Sequence, residues 1–154
     1  SGKTGSPSTS CPAQNEEKAK SMIGYTMVGT NDLQRAKTFY GPLFDLMGLS
    51  LCFEDDQVAS WGDRDDDTVP RFFACYPFDG GPANAGNGTM TTFRLGTASH
   101  VDGLYERAIS GGGRDEGPPD FRPERYGDKF YVAYVRDPDG NKLAFACYDG
   151  KSNP

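Results

Sequence analysis

Short segments in which apolar and polar residues alternate predict strands, because successive side chains of a strand point to opposite faces. In the first half of the chain, four segments have this pattern: residues 23–29, 49–54, 58–62 and 71–76. Between the first two segments, apolar residues recur every three or four positions and predict a helix. Asn31 is its predicted N-cap and Gly48 its predicted end, and Pro42 is expected to kink the helix or divide it in two.

The same order of elements is predicted in the second half of the chain. Three segments there have the strand pattern: residues 89–95, 130–136 and 142–148. Ser99 is the predicted N-cap of a helix that stops at Gly111, and residues 114–128 are polar and proline-rich, with room for one short strand. Residues 137–141, Asp-Pro-Asp-Gly-Asn, have the composition of a tight hairpin turn with its glycine at a positive φ.

Two units of one strand, one helix and further strands therefore follow each other, and the predicted fold class is α+β. Residues 73–76 and 145–148 close the two units with the same sequence, Phe-Ala-Cys-Tyr. The predicted division of the chain is a polar tail at 1–21, a domain at 22–148 with modules at 22–77 and 89–148 and a linker at 78–88, and a second tail at 149–154. The first tail has too few apolar residues to order itself by burial.

Charge and composition exclude several classes of partner. The formal net charge of -6 and the acidic clusters at 54–56 and 63–67 would repel a phosphate backbone, so nucleic acid is not an expected partner. No apolar segment approaches the ~20 residues that span a bilayer, so no membrane association is expected. The 4 cysteines have no CxxC spacing and three lie in predicted strands, which indicates reduced thiols and a cytoplasmic protein.

Three segments resemble a known superfamily. Residues 22–40, 86–96 and 130–148 read MIGYTMVGTNDLQRAKTFY, GNGTMTTFRLG and FYVAYVRDPDGNKLAFACY. Together they resemble the vicinal oxygen chelate superfamily, which includes glyoxalase I, bleomycin-resistance proteins and extradiol dioxygenases. The resemblance runs from about Met22 to Tyr148. It implies two tandem βαβββ modules that form cupped mixed sheets around one cavity, commonly in a homodimer.

The resemblance also implies where metal-using members bind their ion. Each module gives one ligand from its first strand and one from its last, and the matching positions here are Tyr25, Phe72, Met90 and Ala144. None of these residues is a histidine or a carboxylate. The thioether of Met90 would suit copper(I), and a phenol such as that of Tyr25 would have to lose its proton, which ordinarily has a pKa of about 10, before it could bind a metal. The single histidine, His100, is expected in an exposed first turn of a helix and cannot build a two-histidine site within one subunit. Neither a metal nor a cofactor is predicted.

If the sheets are cupped, the period of two assigns alternate residues of each strand to the cavity. The predicted cavity residues are Tyr25, Met27, Phe72, Ala74, Tyr76, Met90, Thr92, Arg94, Ala144, Ala146 and Tyr148, with Tyr131 near the rim. Cys75 and Cys147 are expected on the opposite face, toward the helices. An aromatic and thioether lining with few polar groups suits a small hydrophobic or aromatic ligand.

Three functions remain open at this point. The leading hypothesis is a homodimeric ligand-binding protein that lacks the metal site of its relatives and sequesters a small hydrophobic or aromatic molecule. The first alternative is a lyase or isomerase of glyoxalase type whose chemistry has moved to Arg94, Tyr131 or a metal shared between subunits. The second is an interaction module whose own side chains fill the cavity.

Overall fold

The computed structural model describes residues 2, 5, 17 and 21–150, apart from the side chain of Arg125. The predicted polar tails at 1–21 and 149–154 lie mostly outside these described residues. The elements, in chain order, are β1 (Tyr25–Gly29), α1 (Leu33–Leu46), β2 (Ser50–Glu54), β3 (Val58–Gly62), β4 (Arg71–Cys75), β5 (Thr91–Leu95), α2 (Ala98–Ser110), β6 (Arg114–Phe121), α3 (Pro123–Tyr126), β7 (Tyr131–Arg136) and β8 (Lys142–Cys147). Within this part of the chain, no helix has the length and apolar character that crossing a membrane would require.

The strands form two open four-stranded sheets, in the orders β1-β4-β3-β2 and β5-β8-β7-β6. In each sheet the first strand pairs in parallel with the last, and the other neighbours are antiparallel. Module 1 consists of β1–β4 with α1, and module 2 consists of β5–β8 with α2 and α3. The predicted α+β fold of two tandem βαβββ modules is confirmed.

Both predicted helix caps are wrong by one or two residues. Asp32 caps α1, since its Oδ1 accepts the backbone N–H of Arg35 at 3.0 Å. Thr97 caps α2, and its hydroxyl oxygen accepts the backbone N–H of His100 at 3.1 Å. An N-cap side chain must reach a backbone N–H two or three residues ahead from an extended residue, and both Asp32 and Thr97 have that backbone. Asn31 instead forms two hydrogen bonds with the backbone of Ala83 in the linker.

Pro42 lies inside α1 without ending it, so the expected break does not occur. A proline removes only its own N–H from the helix, and the buried stripe through Tyr40, Leu43 and Phe44 holds the helix across that point. Gly48, with φ +72°, follows the helix end as predicted. Residues 114–121 form a full eight-residue strand, β6, where only a short one was expected, because its bulges accommodate residues with poor strand propensity.

Helices α1 and α2 pack against one face of the two sheets. The main hydrophobic core lies between this face and the helices. This core includes residues of both modules. Phe93 of β5 contacts Phe44 of α1 and Phe72 of β4, with ring centroids 5.6 and 5.3 Å apart. The two modules therefore share one core on the helix side, and the opposite side of both sheets remains open.

Phe72 and Ala74 belong to this core, and their predicted position in the cavity is wrong. Phe72 is 3% exposed, and its ring centroid lies 4.9 Å from that of Tyr40 and 5.4 Å from that of Phe44, both on α1. Ala74 is fully buried in the same cluster. The next residue in each case, Phe73 and Cys75, points to the open side.

The error comes from the repeated Phe-Ala-Cys-Tyr segment. Met27 pairs with Phe73 in module 1, and Thr92 pairs with Ala144 in module 2. The structural counterpart of Ala144 is therefore Phe73 and not Phe72. The two segments match in sequence but differ by one residue in register, and a shift of one residue moves a side chain to the other face.

The hairpin turn between β7 and β8 docks module 2 onto the start of α1. Gly140 has φ +89°, as the sequence predicted for this turn. Asp139 accepts hydrogen bonds from the Thr30 hydroxyl at 2.6 Å and the Asn31 backbone N–H at 2.9 Å. Its Oδ1 also pairs with Arg35 Nη2 at 2.7 Å. The turn thus satisfies backbone and side-chain donors of the other module.

Asp137 lies deeper in the same turn and is buried. Its Oδ2 accepts hydrogen bonds from the Tyr40 hydroxyl at 2.5 Å and from Asn141 Nδ2 at 2.9 Å. Its Oδ1 accepts the backbone N–H groups of Asp139 and Asn141. Asn141 Nδ2 also donates to the carbonyl of Gly29 in β1. We call this set the turn network; its members are Thr30, Tyr40, Asp137, Asp139 and Asn141.

Burial gives the turn network a pH dependence. Desolvation raises the pKa of the Asp137 carboxyl and outweighs the hydrogen bonds from Tyr40 and Asn141, which lower it. The pKa in the folded protein lies above the unfolded value of about 3.9. In the pH window between these two pKa values, the folded state therefore binds more protons than the unfolded state. The stability contributed by this group is full below the window and is lost as the pH rises through it.

We therefore expect the unfolding free energy of the wild type, relative to the non-titrating variant Asp137→Asn, to fall as the pH rises from about 3 through the raised pKa. Urea unfolding at a series of pH values measures the difference. A difference that stays constant or grows with pH contradicts this assignment.

Candidate ligand-binding face

The candidate site is the side of the two sheets opposite the helices, which we call the open face. In module 1 its large side chains are Tyr25, Met27, Phe53 and Phe73. Tyr25, Met27 and Phe53 are 64%, 53% and 54% exposed, and the Tyr25 and Phe73 rings meet edge to face at 5.3 Å. An apolar group of this size left in solvent on a sheet face is typical of a surface that meets a ligand or a partner.

In module 2 the small residues of the open face are covered by larger neighbours. Ala144 and Ala146 are buried there with Phe130 and Val132, and Tyr134 packs against them. Two further side chains of this face form a cation–π pair, in which Arg94 Cζ lies 4.7 Å from the ring centroid of Tyr148. This half of the face is therefore largely covered by its own side chains, and Thr92, Arg94 and Tyr148 are the residues it exposes most.

A cleft of about 280 Å³ lies where the two modules meet. Met27 from β1 and Met90 from the segment before β5 both line it, and Met90 is 47% exposed. Residues 84–86 of the linker and Lys142 complete its wall. The linker is held in place by the bonds between Asn31 and Ala83, so it is part of the site's frame.

The structure separates the predicted cavity residues into two groups. Seven of the predicted side chains lie on the open face and Met90 lies in the cleft beside it; the seven are Tyr25, Met27, Thr92, Arg94, Ala144, Ala146 and Tyr148. Phe72, Ala74 and Tyr76 lie on the helix side, and the Tyr76 hydroxyl accepts the backbone N–H of Leu33. Phe53 and Phe130 were not predicted, since the placement of β2 and of the segment before β7 is a tertiary property, and Lys142 was missed although it alternates with Ala144 and Ala146 in β8.

Tyr131 and the cysteines also differ from expectation. The Tyr131 hydroxyl donates to Asp102 of α2 at 2.6 Å, so this phenol is on the helix side and not at the rim. Burial, together with the Asp102 carboxylate, raises the pKa of Tyr131 to about 12. Cys147 is buried toward the helices as predicted, whereas Cys75 lies on the open-face side of β4, where burial raises the pKa of its thiol.

The residues at the superfamily's ligand positions do not fit a divalent metal ion. With the corrected register these positions are Tyr25, Phe73, Met90 and Ala144, which offer one phenol, one thioether and no imidazole or carboxylate. Among the described residues, no cluster of three or more histidine, cysteine, aspartate or glutamate side chains is arranged to hold a metal. His100 lies in the first turn of α2, with Nε2 2.6 Å from the carbonyl oxygen of Leu46 at the end of α1. No reaction step is therefore assigned to a metal.

Comparison with solved structures gives several matches over most of the chain. A glyoxalase/bleomycin resistance protein from Albidiferax ferrireducens T118 is 34% identical, with a TM-score of 0.73, over 82% of this chain and 98% of that chain. A glyoxalase-related enzyme from Fulvimarina pelagi is 22% identical, with a TM-score of 0.63, over 81% and 86%. A lactoylglutathione lyase from Agrobacterium tumefaciens is 20% identical, with a TM-score of 0.59, over 85% and 96%. The proteins from Fulvimarina pelagi and Agrobacterium tumefaciens share the fold of this chain.

A comparison with curated proteins gives no match. The family model for the glyoxalase/bleomycin resistance protein/dioxygenase superfamily matches residues 22–145, which is module 1, the linker and module 2 as far as Phe145 in β8. This match, the 34% identity to the Albidiferax protein and the paired βαβββ modules agree with one another. The chain therefore belongs to the glyoxalase/bleomycin resistance protein/dioxygenase superfamily.

Proposed function

We propose that this protein binds a small hydrophobic or aromatic molecule on its open face, without a metal ion, and acts by sequestering that molecule. The strongest support is the identity of the residues at the four positions where metal-using members of the superfamily place their metal ligands. Tyr25, Phe73 and Met90 offer rings and a thioether, and Ala144 offers only a methyl group. Such side chains stack on and adapt to apolar ligands, whereas they are poor ligands for a divalent cation.

The alternatives find less support in the structure. A relocated lyase or isomerase needs an acid or base at the ligand, but Tyr131 is bonded to Asp102 on the helix side. Arg94 remains on the open face, but a guanidinium offers only hydrogen-bond donors and no acceptor atom for a base. A filled cavity would suit an interaction module, yet Tyr25 and Met27 remain more than half exposed.

Ligand binding is testable by thermal shift with a panel of aromatic compounds in the presence of EDTA. A ligand at 100 times its Kd adds about 2.7 kcal/mol to stability, which raises the Tm by several degrees. We expect a neutral two-ring compound such as 2-naphthol to give a shift that Phe73→Ala reduces. Phe78→Ala is the matched control, since Phe78 is fully exposed in the linker. A panel that produces no shift at any concentration contradicts the proposal.

Metal independence needs its own measurement. Protein purified without chelator is expected to contain far less than one equivalent of zinc, nickel, manganese or iron by mass spectrometry of the elements. The enzymatic alternative would be restored by two results together: the protein contains one equivalent of one of these metals, and dialysis against EDTA removes both the metal and ligand binding.

We further propose that the protein is a cytoplasmic homodimer. The exposed apolar half of the open face in module 1 supports an assembly that covers part of it. Light scattering after gel filtration measures the mass in solution. If the protein stays monomeric at concentrations up to 100 times those used in the binding measurements, the dimer is contradicted. The binding proposal is not affected by that result.

A further inference from the structure

Building on the proposed function, we infer that the cleft between the modules binds the polar end of the ligand, where the side-chain oxygen of Asn141 accepts a hydrogen bond. The aromatic part of the ligand lies against Met27 and Met90 and extends toward Phe73 on the open face. The ligand class thus narrows from hydrophobic or aromatic molecules to small aromatic compounds with an O–H or N–H donor, such as phenols.

Asn141 lies at the inner end of the cleft. It is 6% exposed, whereas the other residues that line the cleft are half-buried or exposed. Met27 and Met90 lie at the mouth, where both side chains are exposed. The cleft therefore has an apolar mouth and a polar inner end, which fits a ligand with one apolar and one polar end.

Every polar group of Asn141 except its side-chain oxygen has a partner in the chain. Its Nδ2 donates to the carbonyl oxygen of Gly29 and to Asp137 Oδ2, both at 2.9 Å. Its backbone N–H donates to Asp137 Oδ1 at 2.8 Å, and its backbone carbonyl accepts the N–H of Asp137 at 2.9 Å. Among the described residues, no donor bonds to Asn141 Oδ1. This oxygen is therefore an unused acceptor.

The unused oxygen is accessible from the cleft. No fully buried side-chain nitrogen or oxygen atom in the described part of the chain lacks a hydrogen-bond partner, so an oxygen without one retains accessible surface. Asn141 borders the cleft beside Gly29, to which its amide is bonded. The two bonds of Nδ2 fix the amide, so the acceptor is oriented before a ligand arrives and little side-chain entropy is lost on binding.

Other polar side chains of the cleft are less suited to accept a ligand donor. Asn84 Oδ1 already accepts the backbone N–H of Gly86 at 3.2 Å, and the exposed Thr89 hydroxyl donates to two carbonyl oxygens of the linker. Lys142 offers only N–H donors, and no carboxylate is present among the described residues that line the cleft. A ligand donor therefore finds its most buried side-chain acceptor at Asn141.

The test compares 2-naphthol with 2-methoxynaphthalene, which has the same rings and the same oxygen but no donor. Both are small enough for a cleft of about 280 Å³. Titration calorimetry with the full chain gives the ratio of the two affinities. We expect Asn141→Ala to lower the preference for 2-naphthol at least roughly fivefold, since leaving a buried acceptor without its donor costs that factor or more.

Tyr40→Phe is the matched control. The Tyr40 hydroxyl bonds to the same Asp137 Oδ2 as Asn141 does, but Tyr40 does not line the cleft. This variant weakens the turn network and should keep the wild-type ratio of the two affinities, whatever its effect on each. Circular dichroism melting confirms that both variants fold.

A measurement on the wild type keeps the proposal testable if Asn141→Ala does not fold. In ¹⁵N NMR spectra, the side-chain amide signals of Asn141 report on a bond to its oxygen. We expect saturating 2-naphthol to shift these signals more than saturating 2-methoxynaphthalene does.

The outcomes separate the two proposals. An unchanged ratio in Asn141→Ala, or Asn141 amide signals that do not distinguish the two compounds, overturns the hydrogen bond to Asn141 and leaves the aromatic binding function standing. If neither compound binds to the wild type, the binding function itself fails, and the role of Asn141 fails with it.

Discussion

Asp137→Ala is expected to be among the most destabilising single substitutions in this protein, although the residue lies in a turn. Removing the carboxylate leaves the Tyr40 hydroxyl and one Asn141 N–H without an acceptor in a buried site. Each buried donor that loses its acceptor costs about 1–3 kcal/mol, so for two donors we expect a loss of about 2–6 kcal/mol in unfolding free energy. Chemical denaturation of the purified variants measures it.

Two companion variants show whether the loss comes from the turn network. Tyr40→Phe removes one hydrogen bond to a charged group and should cost about 1.5–3 kcal/mol, and it keeps the effect measurable if Asp137→Ala does not fold. Glu116→Ala removes a partly exposed carboxylate whose ion pair with Arg136 is 2.9 Å long, and should cost much less than Asp137→Ala, since solvent screens exposed ion pairs. Equal losses for Asp137→Ala and Glu116→Ala would mean that the turn network does not hold the modules together.

Phe72→Ala is expected to destabilise far more than Phe73→Ala, although the two residues are adjacent and chemically identical. Phe72 is 3% exposed and lies among four aromatic neighbours: Tyr40, Phe44, Trp61 and Phe93. Truncation of a buried phenylalanine costs about 3–5 kcal/mol, from lost burial and the cavity left behind. Phe73 lies on the open face and should cost less than about 2 kcal/mol.

The same pair of variants also separates stability from binding. Phe73→Ala should weaken the binding of aromatic ligands, while Phe72→Ala should leave the affinity of the folded fraction close to that of the wild type. The reverse order, with Phe73→Ala the more destabilising variant, would mean that β4 has the register suggested by the repeated Phe-Ala-Cys-Tyr segment.

Local sequence patterns predicted the fold because its elements depend on local properties. The limits of β3 at Val58–Gly62 follow the alternation of its side chains, and the turn at 137–141 follows the backbone preferences of proline and glycine. Both modules could therefore be recognised, and the family with them. The helix through Pro42 was harder, since tertiary burial of its neighbours outweighs the local cost of proline.

The arrangement of the candidate site depends on contacts between distant residues, which local patterns do not contain. Tyr40 and Asp137 are 97 positions apart, and Thr30 and Asp139 are 109 apart. The face to which Phe73 points depends on its pairing with β1, and a coincidental four-residue repeat suggested the wrong pairing. The chemical character of the face was still predictable, because the side chains at 25, 27 and 144 lie on it as their alternation in the strands indicated.

The turn that joins β7 and β8 has a structural role in this chain that its sequence did not reveal. Its residues were part of the resemblance to the superfamily, and in the structure they bond to the strand–helix junction of the other module. Relative placement of the two halves of the open face therefore depends on Asp137 and Asp139, which lie away from that face. Substitutions in the turn network are expected to weaken ligand binding as well as stability.

Methyl NMR of the protein in EDTA, titrated with 2-naphthol, tests the central claim most directly. With labelled methionine, we expect the methyl signals of the exposed Met27 and Met90 to shift with one common Kd. Met47 packs against the core on the helix side and should not shift, which makes it an internal control. Signals that stay fixed in EDTA and move only after a divalent metal is added would contradict a metal-free binding face.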